Sequence, residues 1–189
     1  HLSIRRQRQM CIRDRYNDLK SRGFSIGKDS IYRMMDEVFA IYLLARVERY
    51  DPAVVKREMS NKKVYLYDNG LATALHFSFA EDRGKLIENL VFRRLREMTP
   101  DVYFLRNGWE CDFVAFPPAR EPLIIQVTER LDQDNLAREV KGLEAGKNRL
   151  GKGQAILLVD SVQSGVDIPK WVRVVPVSYT HLRAHETKA

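Results

Sequence analysis

Apolar residues in the first part of the chain recur with the spacing of a helix. They follow a 3.6-residue period, which predicts a helix with one face toward a core; these residues are Ile31, Met34, Met35, Val38, Phe39 and Tyr42. Asp29 or Ser30 is placed to cap that helix at its start. A shorter helix is predicted over 16–22, because Gly23 follows it as a helix terminator does.

Beyond this helix the pattern changes to that of strands. Residues 44–50 and 63–67 are typical of strands, and the second one closes at the turn signal Asp68-Asn69-Gly70. Helix, turn, helix and then a two-stranded hairpin is the order of a winged-helix fold. The pattern therefore predicts a winged-helix-like module over 16–80.

The second part of the chain combines helices with short strands. Helices are predicted over 82–98 and 135–147, and strands over 102–106, 110–116, 123–128 and 155–159, with a last segment at 171–175. A helix, a three-strand meander, a helix and a further strand predict a small α/β domain with a mixed sheet, here over 81–176. The fold class predicted for the whole chain is thus α/β (α+β).

The net charge of +7 is concentrated at the ends of the chain. Residues 1–15 carry five arginines and one aspartate, whereas residues 16–176 hold 25 basic and 23 acidic side chains, an excess of only +2. A basic chain normally indicates an anionic partner. That indication weakens once the ends are set aside.

Both ends resemble something other than natural protein. Residues 5–15 and 177–187 resemble translated reading frames of the paired transposase adapters used to prepare short-read sequencing libraries. Such flanks are excluded from reasoning about a fold. We therefore expect 1–15 and 177–189 to be adapter-derived and disordered, and the natural part to be a fragment of about 16–176, truncated at both ends.

Composition excludes several classes of protein. The longest apolar run, over 40–45, is too short to span a membrane, and the arginine-rich start has no apolar segment of a secretory signal. Cys11 and Cys111 form neither a disulfide framework nor a metal-binding spacing. The expected location is the cytoplasm, with no membrane partner.

Two segments that combine glycine and lysine have the composition of phosphate-binding loops but not their spacing. They begin at Gly23 and Gly142, and each is one residue too short. Each also lacks a serine or threonine after its lysine, Lys28 or Lys147. No nucleotide site is predicted in this chain.

One acidic side chain lies on the apolar face of the predicted 82–98 helix. Glu88 projects between Ile87 and Phe92. A carboxylate in that position has to be paired or to bind a ligand, because burying it alone is costly. Pairing with a backbone amide or an arginine is an equal alternative to a functional role.

The predicted strands place further polar side chains near Glu88. Alternation along the 110–116 strand puts Asp112 on one face; the residues predicted to share that face are Glu110, Val114 and Phe116. On the next strand Gln126 and Thr128 face away from the apolar side, which consists of Leu123, Ile125 and Val127. We therefore expect Gln126 and Thr128 to converge on one point with the two carboxylates.

These motifs resemble a known family. The segments Leu86-Ile-Glu-Asn-Leu-Val-Phe92, Glu110-Cys-Asp-Phe-Val114 and Ile125-Gln-Val127 are similar to the C-terminal domain of prokaryotic AAA-type ATPases, a domain of unknown function that follows a P-loop domain. Arg138-Glu139 and the segment from Lys63 to Leu71 also resemble it. The resemblance implies a winged-helix-like first half and a second half similar to the PD-(D/E)xK nuclease fold.

The resemblance also implies a nuclease-like site that has lost part of its chemistry. An active nuclease of that fold holds Mg²⁺ on acidic residues and uses a lysine to activate water or stabilise charge on the phosphate. Glu88 and Asp112 fill two acidic positions and are the implied metal ligands, but Gln126 replaces an acid and Thr128 replaces the lysine. These four catalytic positions therefore form a degenerate site that binds Mg²⁺ weakly, if at all. The residues that would take over the missing roles by migration are Glu110, Glu129 or Lys141.

The function expected from the resemblance is that of a binding module. The chain would be the C-terminal part of an ATPase whose upstream domain binds and hydrolyses ATP, and its partner would be DNA, that ATPase domain or another protein. Lys28 and Arg33 are the candidate nucleic-acid contacts in the winged-helix half, although Asp36 and Glu37 offset their charge. The alternatives are a metal-dependent DNA endonuclease and a protein–protein scaffold, which predicts no salt-dependent affinity for DNA.

Overall fold

The computed structural model describes residues 9–10, 12–74 and 83–178. Its eight strands are β1 (Gln9–Met10), β2 (Leu44–Arg49), β3 (Lys62–Leu66), β4 (Val102–Asn107), β5 (Trp109–Ala115), β6 (Leu123–Leu131), β7 (Gln154–Val162) and β8 (Arg173–Pro176). The six helices in these ranges are α1 (Ile12–Ser21), α2 (Lys28–Ala40), α3 (Val54–Met59), α4 (Asn69–Ala74), α5 (Arg83–Met98) and α6 (Gln133–Leu150). The boundary predicted near residue 80, and Asp82 at the predicted start of a helix, lie outside the described residues.

The eight described strands form one mixed sheet with the order β1-β3-β2-β4-β5-β6-β7-β8. The pairs β2–β4, β6–β7 and β7–β8 are parallel, and the other pairs are antiparallel. A parallel pair needs a crossover connection, which α6 supplies between β6 and β7. The predicted α/β class with a mixed sheet is confirmed.

Helices α5 and α6 cover opposite faces of the sheet. Apolar residues of α5 recur at helical spacing and are buried; they are Ile87, Val91, Phe92 and Leu95. They belong to one core with Phe113 and Ile125 of the sheet. On the other face, Leu143 of α6 belongs to a second core with Ile124 and Leu157. Because Ile124 and Ile125 are adjacent in β6, the two cores lie on the two faces of that strand.

The hairpin of the predicted winged-helix module is part of the same sheet and core. Strands β2 and β3 pair with each other, and β2 joins the rest of the sheet through a short parallel pairing of Glu48 and Arg49 with β4. The ring centroid of Tyr65 in β3 lies 4.6 Å from that of Phe92 in α5 and 5.3 Å from that of Phe113 in β5. Residues from both predicted units therefore share one core.

The side chain of Asn89 ties α5 to the end of β3. It is 1% exposed, its Oδ1 accepts a hydrogen bond from Leu66 N at 2.8 Å, and its Nδ2 donates to Leu66 O at 2.8 Å. The same Nδ2 donates to Asn69 Oδ1 at 2.7 Å. Since a buried amide is costly unless it is hydrogen-bonded, this contact fixes β3 beside the turn of α5 that carries Glu88.

Helix α2 has only part of its apolar face covered, with three of the six predicted core residues half-buried. Of the side chains predicted to form its core face, Ile31 is buried, whereas Met34 is 54% exposed and Tyr42, just beyond the helix, is 72% exposed. The prediction that this whole face points into a core is wrong, because the inner face of the β2–β3 hairpin is covered by α5 instead. The helix also begins at Lys28 with Gly27 as its N-cap, ahead of the predicted capping residues.

Some residues of the predicted adapter-derived ends have regular structure. Strand β1 pairs with β3, and α1 begins at Ile12. At the other end Val177 is 6% exposed, and its backbone N donates to Val159 O at 2.7 Å. Backbone hydrogen bonds thus join 9–10, 12–15 and 177 to the neighbouring elements, and the adapter origin and disorder of the two ends stay a prediction. Residues 1–8, 11 and 179–189 lie outside the described part of the chain.

A β-bulge in β5 sets the direction of the side chains at its centre. The register with β4 shifts between Tyr103 and Leu105, so that Asp112 and Phe113 together oppose one residue of β4. As a result Phe113 lies in the α5 core, whereas Val114 lies in the α6 core. The predicted placement of Asp112 on one face with Val114 is wrong, because the extra residue interrupts the alternation of the strand. Phe116 packs with Val114 and is separated from Asp112 for the same reason.

Two glycines let α6 approach the sheet closely. A Cβ atom at Gly142 would lie 2.6 Å from Glu110 O and 2.7 Å from Gln126 Nε2, and one at Gly146 would lie 2.3 Å from Ile124 Cγ2. These separations are too short for real side chains. The glycines of the segment that begins at Gly142, which has the composition of a phosphate-binding loop, therefore allow close packing of the helix on the sheet.

Gly142→Ala tests this packing. We expect it to lower the free energy of unfolding by about 2 kcal/mol, as overpacking does, even though alanine is better than glycine in a helix by about 1 kcal/mol. Urea denaturation followed by circular dichroism gives the value. The control is Asn148→Ala on the exposed side of the same helix, which should change stability by less than about 0.5 kcal/mol. An unchanged or higher stability of Gly142→Ala would contradict the close approach.

Candidate functional site

Lys63 of β3 lies among three carboxylates. Its side chain is 3% exposed, and its Nζ lies 2.7 Å from Glu110 Oε1, 3.3 Å from Asp112 Oδ1 and 3.5 Å from Glu88 Oε1. The glutamate and aspartate of β5 and the glutamate of α5 thus meet a cation that comes from the hairpin. We refer to these four side chains as the lysine–carboxylate cluster.

Further hydrogen bonds hold the acidic side chains of the cluster in place. The hydroxyl of Tyr65 donates to Glu88 Oε1 at 2.6 Å. The second oxygen of Asp112, Oδ2, accepts a hydrogen bond from the backbone N of Val127 at 3.1 Å. Both oxygens of Asp112 are therefore engaged, one by the ammonium and one by the neighbouring strand.

Nearby charge keeps Lys63 protonated despite its burial. Burial by itself lowers the pKa of a lysine, but the charges around it outweigh this effect and raise the pKa well above its ordinary value. In order of effect, the groups responsible are Tyr65, Glu88, Asp112 and Glu110. The ammonium thus remains charged and compensates part of the repulsion between the carboxylates.

The cluster does not fit the magnesium ion that the resemblance implies. Mg²⁺ prefers about six oxygen ligands at roughly 2.0–2.1 Å in an octahedron. In the cluster, by contrast, the carboxylates of Glu88 and Asp112 each direct an oxygen at the Lys63 ammonium. No group of three or more histidine, cysteine, aspartate or glutamate side chains in the described ranges is arranged to hold a metal ion. The ammonium takes the place in which these two carboxylates would share a cation.

Gln126 lies on the other face of the sheet, under α6. It is fully buried, its Oε1 accepts a hydrogen bond from Asp112 N at 2.7 Å, and its Nε2 donates to Glu139 Oε2 at 2.8 Å. Arg138 in turn donates to Glu139 Oε1 from Nε at 2.9 Å and from Nη2 at 2.5 Å. The amide of Gln126 is thus fixed at both ends, and it touches the backbone of Asp112 rather than its carboxylate.

Thr128 shares the α6-facing side of β6 with Gln126, as the alternation predicts. Its Oγ1 donates to Arg130 O at 3.1 Å. The structure therefore brings Glu88 and Asp112 together at Lys63, and it places Gln126 and Thr128 away from them. The expected convergence of all four side chains on one point does not occur, because the bulge turns Asp112 toward α5 while β6 keeps its regular alternation.

The three residues considered as replacements have different surroundings. Glu110 joins the lysine–carboxylate cluster. Glu129 lies at the surface, 3.6 Å from Arg83. The ammonium of Lys141 lies 4.5 Å from the ring centroid of Trp109 on the α6 side. Among the three, Glu110 alone contacts the cluster in the described structure.

The candidate nucleic-acid contacts of the first half lie on α2. Lys28 and Arg33 are exposed, and the ammonium of Lys28 lies 5.7 Å from the ring centroid of Tyr16. Asp36 of the same helix is bonded to Arg46 at 2.5 Å. Contact of Lys28 and Arg33 with nucleic acid stays a prediction.

Lys63 and Glu139 are buried charged side chains that the sequence pattern did not single out as members of a site. Strand parity offers a signal for Lys63, because it places this residue on the same face as Tyr65, which is 1% exposed. For Glu139 the signal is its position one turn before Leu143, on the apolar face of α6. A charged residue at a core position in a helix or strand is a candidate for a buried pair.

Comparisons with known proteins give one distant relative. The uncharacterized protein MJ1544 of Methanocaldococcus jannaschii is 29% identical over 141 residues, which are 72% of this chain and 31% of that protein. The chain thus spans less than a third of the length of the relative it matches. No family model matches the chain, and no solved structure matches it.

In the described part of the chain, no helix has both the length and the apolar character needed to cross a bilayer.

Proposed function

We propose that this chain is a non-catalytic binding module of an AAA-type ATPase, in which a nuclease-like site is closed by Lys63. The observation that carries the proposal is the lysine–carboxylate cluster, in which a buried ammonium is bound where a nuclease of this type would hold its metal ion. The partner is nucleic acid or protein, and ATP is bound and hydrolysed by a separate P-loop domain of the same protein.

The burial of the cluster supports a non-catalytic role. A phosphodiester substrate would have to reach the carboxylates, but Lys63 is 3% and Asp112 5% exposed. Phosphoryl chemistry also needs positive charge aimed at the reacting phosphate, and the charge of Lys63 is directed at three carboxylates instead. The neutral Gln126, bonded on the opposite face, adds neither charge nor a metal ligand to this site.

Two further observations support the placement within a larger ATPase. The relative from Methanocaldococcus jannaschii extends well beyond the matched segment, which leaves room for a P-loop domain in that protein. In this chain, exposed apolar side chains are grouped on and just after α2; among them are Met34, Ile41 and Tyr42. Exposed apolar side chains grouped along one helix support a contact with another protein domain.

The test is a cleavage and metal-binding assay on the whole chain. Single-stranded and duplex DNA are incubated with Mg²⁺ or Mn²⁺, and metal binding is measured in parallel by titration calorimetry. We expect no cleavage and no heat of metal binding, because the carboxylates are occupied by the ammonium.

The alternative, a metal-dependent endonuclease, is supported by one observation, the presence of a lysine next to three carboxylates. It predicts cleavage that Asp112→Asn abolishes and that Asp101→Asn, a surface control, leaves intact. That result would overturn the proposed function. Cleavage that survives Asp112→Asn would indicate a contaminating nuclease and would leave the expected absence of activity in place.

A further inference from the structure

A second site candidate lies on the α6 side of the sheet, away from the lysine–carboxylate cluster. An open cleft of about 680 Å³ is formed by the end of β2, the β4–β5 hairpin and one face of α6. Its volume is within the range of ligand-binding clefts. The helix contributes the face that includes Lys141, Ala145 and Arg149, which recur at helical spacing.

The cleft concentrates positive charge. Four basic side chains line it, Arg49, Arg106, Lys141 and Arg149. They are opposed by two acidic side chains, Asp51 and Glu144, and Asp51 lies 3.9 Å from one of the arginines. Four basic against two acidic side chains give the lining of the cleft a local excess of +2.

An exposed aromatic ring lies inside this basic cleft. Trp109 follows Gly108 at the tip of the β4–β5 hairpin and is 46% exposed. The ammonium of Lys141 lies 4.5 Å from its ring centroid. Basic side chains that surround an aromatic ring in a groove are typical of proteins that bind single-stranded nucleic acid, where phosphates meet the cations and bases stack on the ring.

We propose that this cleft binds single-stranded nucleic acid, with its phosphates against the four basic side chains and a base stacked on Trp109. The inference rests on the proposed function, since it names the ligand of a module that binds without cleaving. A duplex keeps its bases stacked inside the helix and cannot offer one to an indole in a cleft, whereas a single strand can. Oligodeoxynucleotides and oligoribonucleotides share this chemistry, and the experiment compares them.

The experiment measures fluorescence anisotropy of short labelled oligothymidylate and oligouridylate with the full 189-residue chain, in the presence of a chelator. We expect affinity to fall as salt rises, and to be higher for either single strand than for a duplex of the same length. Trp109→Ala should weaken binding by about tenfold, the usual loss for one stacked base, and Trp109→Phe should retain most of the affinity. Lys141→Ala should weaken binding and reduce the slope of log affinity against log salt by about 0.7.

The chain contains a matched control for the aromatic contact. Trp171 is 38% exposed and has the ammonium of Lys147 at 5.0 Å from its ring centroid, but it does not line the cleft. Trp171→Ala should therefore leave the affinity unchanged.

Three results would overturn the inference: no salt-dependent binding, equal affinity of wild type and Trp109→Ala, or a mononucleotide that competes as strongly as the oligomer. Metal-dependent cleavage would instead overturn the proposed function and leave the binding comparison valid.

Discussion

Replacing Lys63 with methionine is expected to lower the free energy of unfolding by about 3–5 kcal/mol, the usual cost of removing one partner from a buried charge pair. Methionine matches the apolar stem of lysine as far as Cε but leaves Glu88, Glu110 and Asp112 facing one another without a cation. Chemical denaturation of wild type and variant gives the difference. If the cluster stabilises the fold as described, no other single lysine in the β2–β3 hairpin should approach this value.

The neighbouring Lys62 offers a matched control. It lies on the same strand, and its Nζ is 3.0 Å from Glu48 Oε1 in a more exposed pair. Pairs of this kind contribute about 1 kcal/mol or less. The same ammonium also donates to two backbone oxygens at the end of α3, which water can reach in the variant, so Lys62→Met should lose about 1 kcal/mol, well below Lys63→Met. An equal loss of unfolding free energy in the two variants would show that the cluster stabilises the fold no more than a surface pair does.

The pH dependence of the same comparison has a defined sign. The charges of the cluster raise the pKa of Lys63 above its ordinary value despite burial, so its stabilising contribution is complete below the pKa of the unfolded chain, about 10.4. It is lost only as the pH rises through the higher folded value. From about pH 7 to 9 the difference between wild type and Lys63→Met should therefore stay constant.

The Lys63→Met variant should also acquire an affinity for divalent metal. Carboxylate oxygens are the ligands that Mg²⁺ and Mn²⁺ prefer. The three side chains form no metal-binding group in their present positions, so they would have to move together to share an ion once the ammonium is gone. At a hundredfold excess over its Kd, Mn²⁺ should raise the free energy of unfolding of the variant by about 2.7 kcal/mol. The melting temperature of the variant should rise with it. Wild type should not respond. A response of wild type equal to that of the variant would mean that the ammonium does not occupy the cation position.

Gln126→Glu, which introduces the acid that the resemblance to a nuclease implies at this position, is expected to destabilise the protein by about 3 kcal/mol and not to create activity. The new carboxylate would lose the hydrogen bond to Glu139, 2.8 Å away, and would place a second acid beside it. Charge-assisted hydrogen bonds contribute about 1.5–3 kcal/mol, and an unpaired buried acid adds to the cost. Denaturation and the DNA cleavage assay test both parts.

A double variant tests whether the lost stability comes from the contact between residues 126 and 139. Gln126→Glu combined with Glu139→Gln exchanges the amide and the acid, and it restores a hydrogen bond between the two side chains. It should recover about half of the lost stability, since Arg138 then loses its carboxylate. No recovery at all would mean that the cost of the single variant does not come from the contact with Glu139.

Much of the second half could be predicted because its elements depend on local patterns. The helix predicted over 82–98 is observed as Arg83–Met98, since a stripe of apolar residues at helical spacing is enough to specify it. The alternation of β6 was also predictable, with Ile125 and Gln126 on opposite faces. These features require no knowledge of which segments meet in space.

The arrangement of the site depends on features that periodicity does not report. A one-residue bulge at Asp112 turns that side chain toward α5, and nothing in an alternating strand shows where an extra residue interrupts the pairing. The partner of Glu88 comes from a strand 25 positions earlier, which the sequence assigns to a different module. A buried salt bridge between distant segments becomes visible only once the hairpin is known to share the α5 core.

The short parallel pairing of β2 with β4 joins two parts of the sheet that carry opposite charges of the lysine–carboxylate cluster. It is the main-chain junction between the hairpin and the larger part of the sheet, and only Glu48 and Arg49 contribute register pairs to it. Lys63 is on the hairpin side of this junction, and all three of its carboxylates are on the other side. Without the hairpin, the larger part would carry three carboxylates and no cation to face them. The hairpin thus acts as an intramolecular counterion for the rest of the fold.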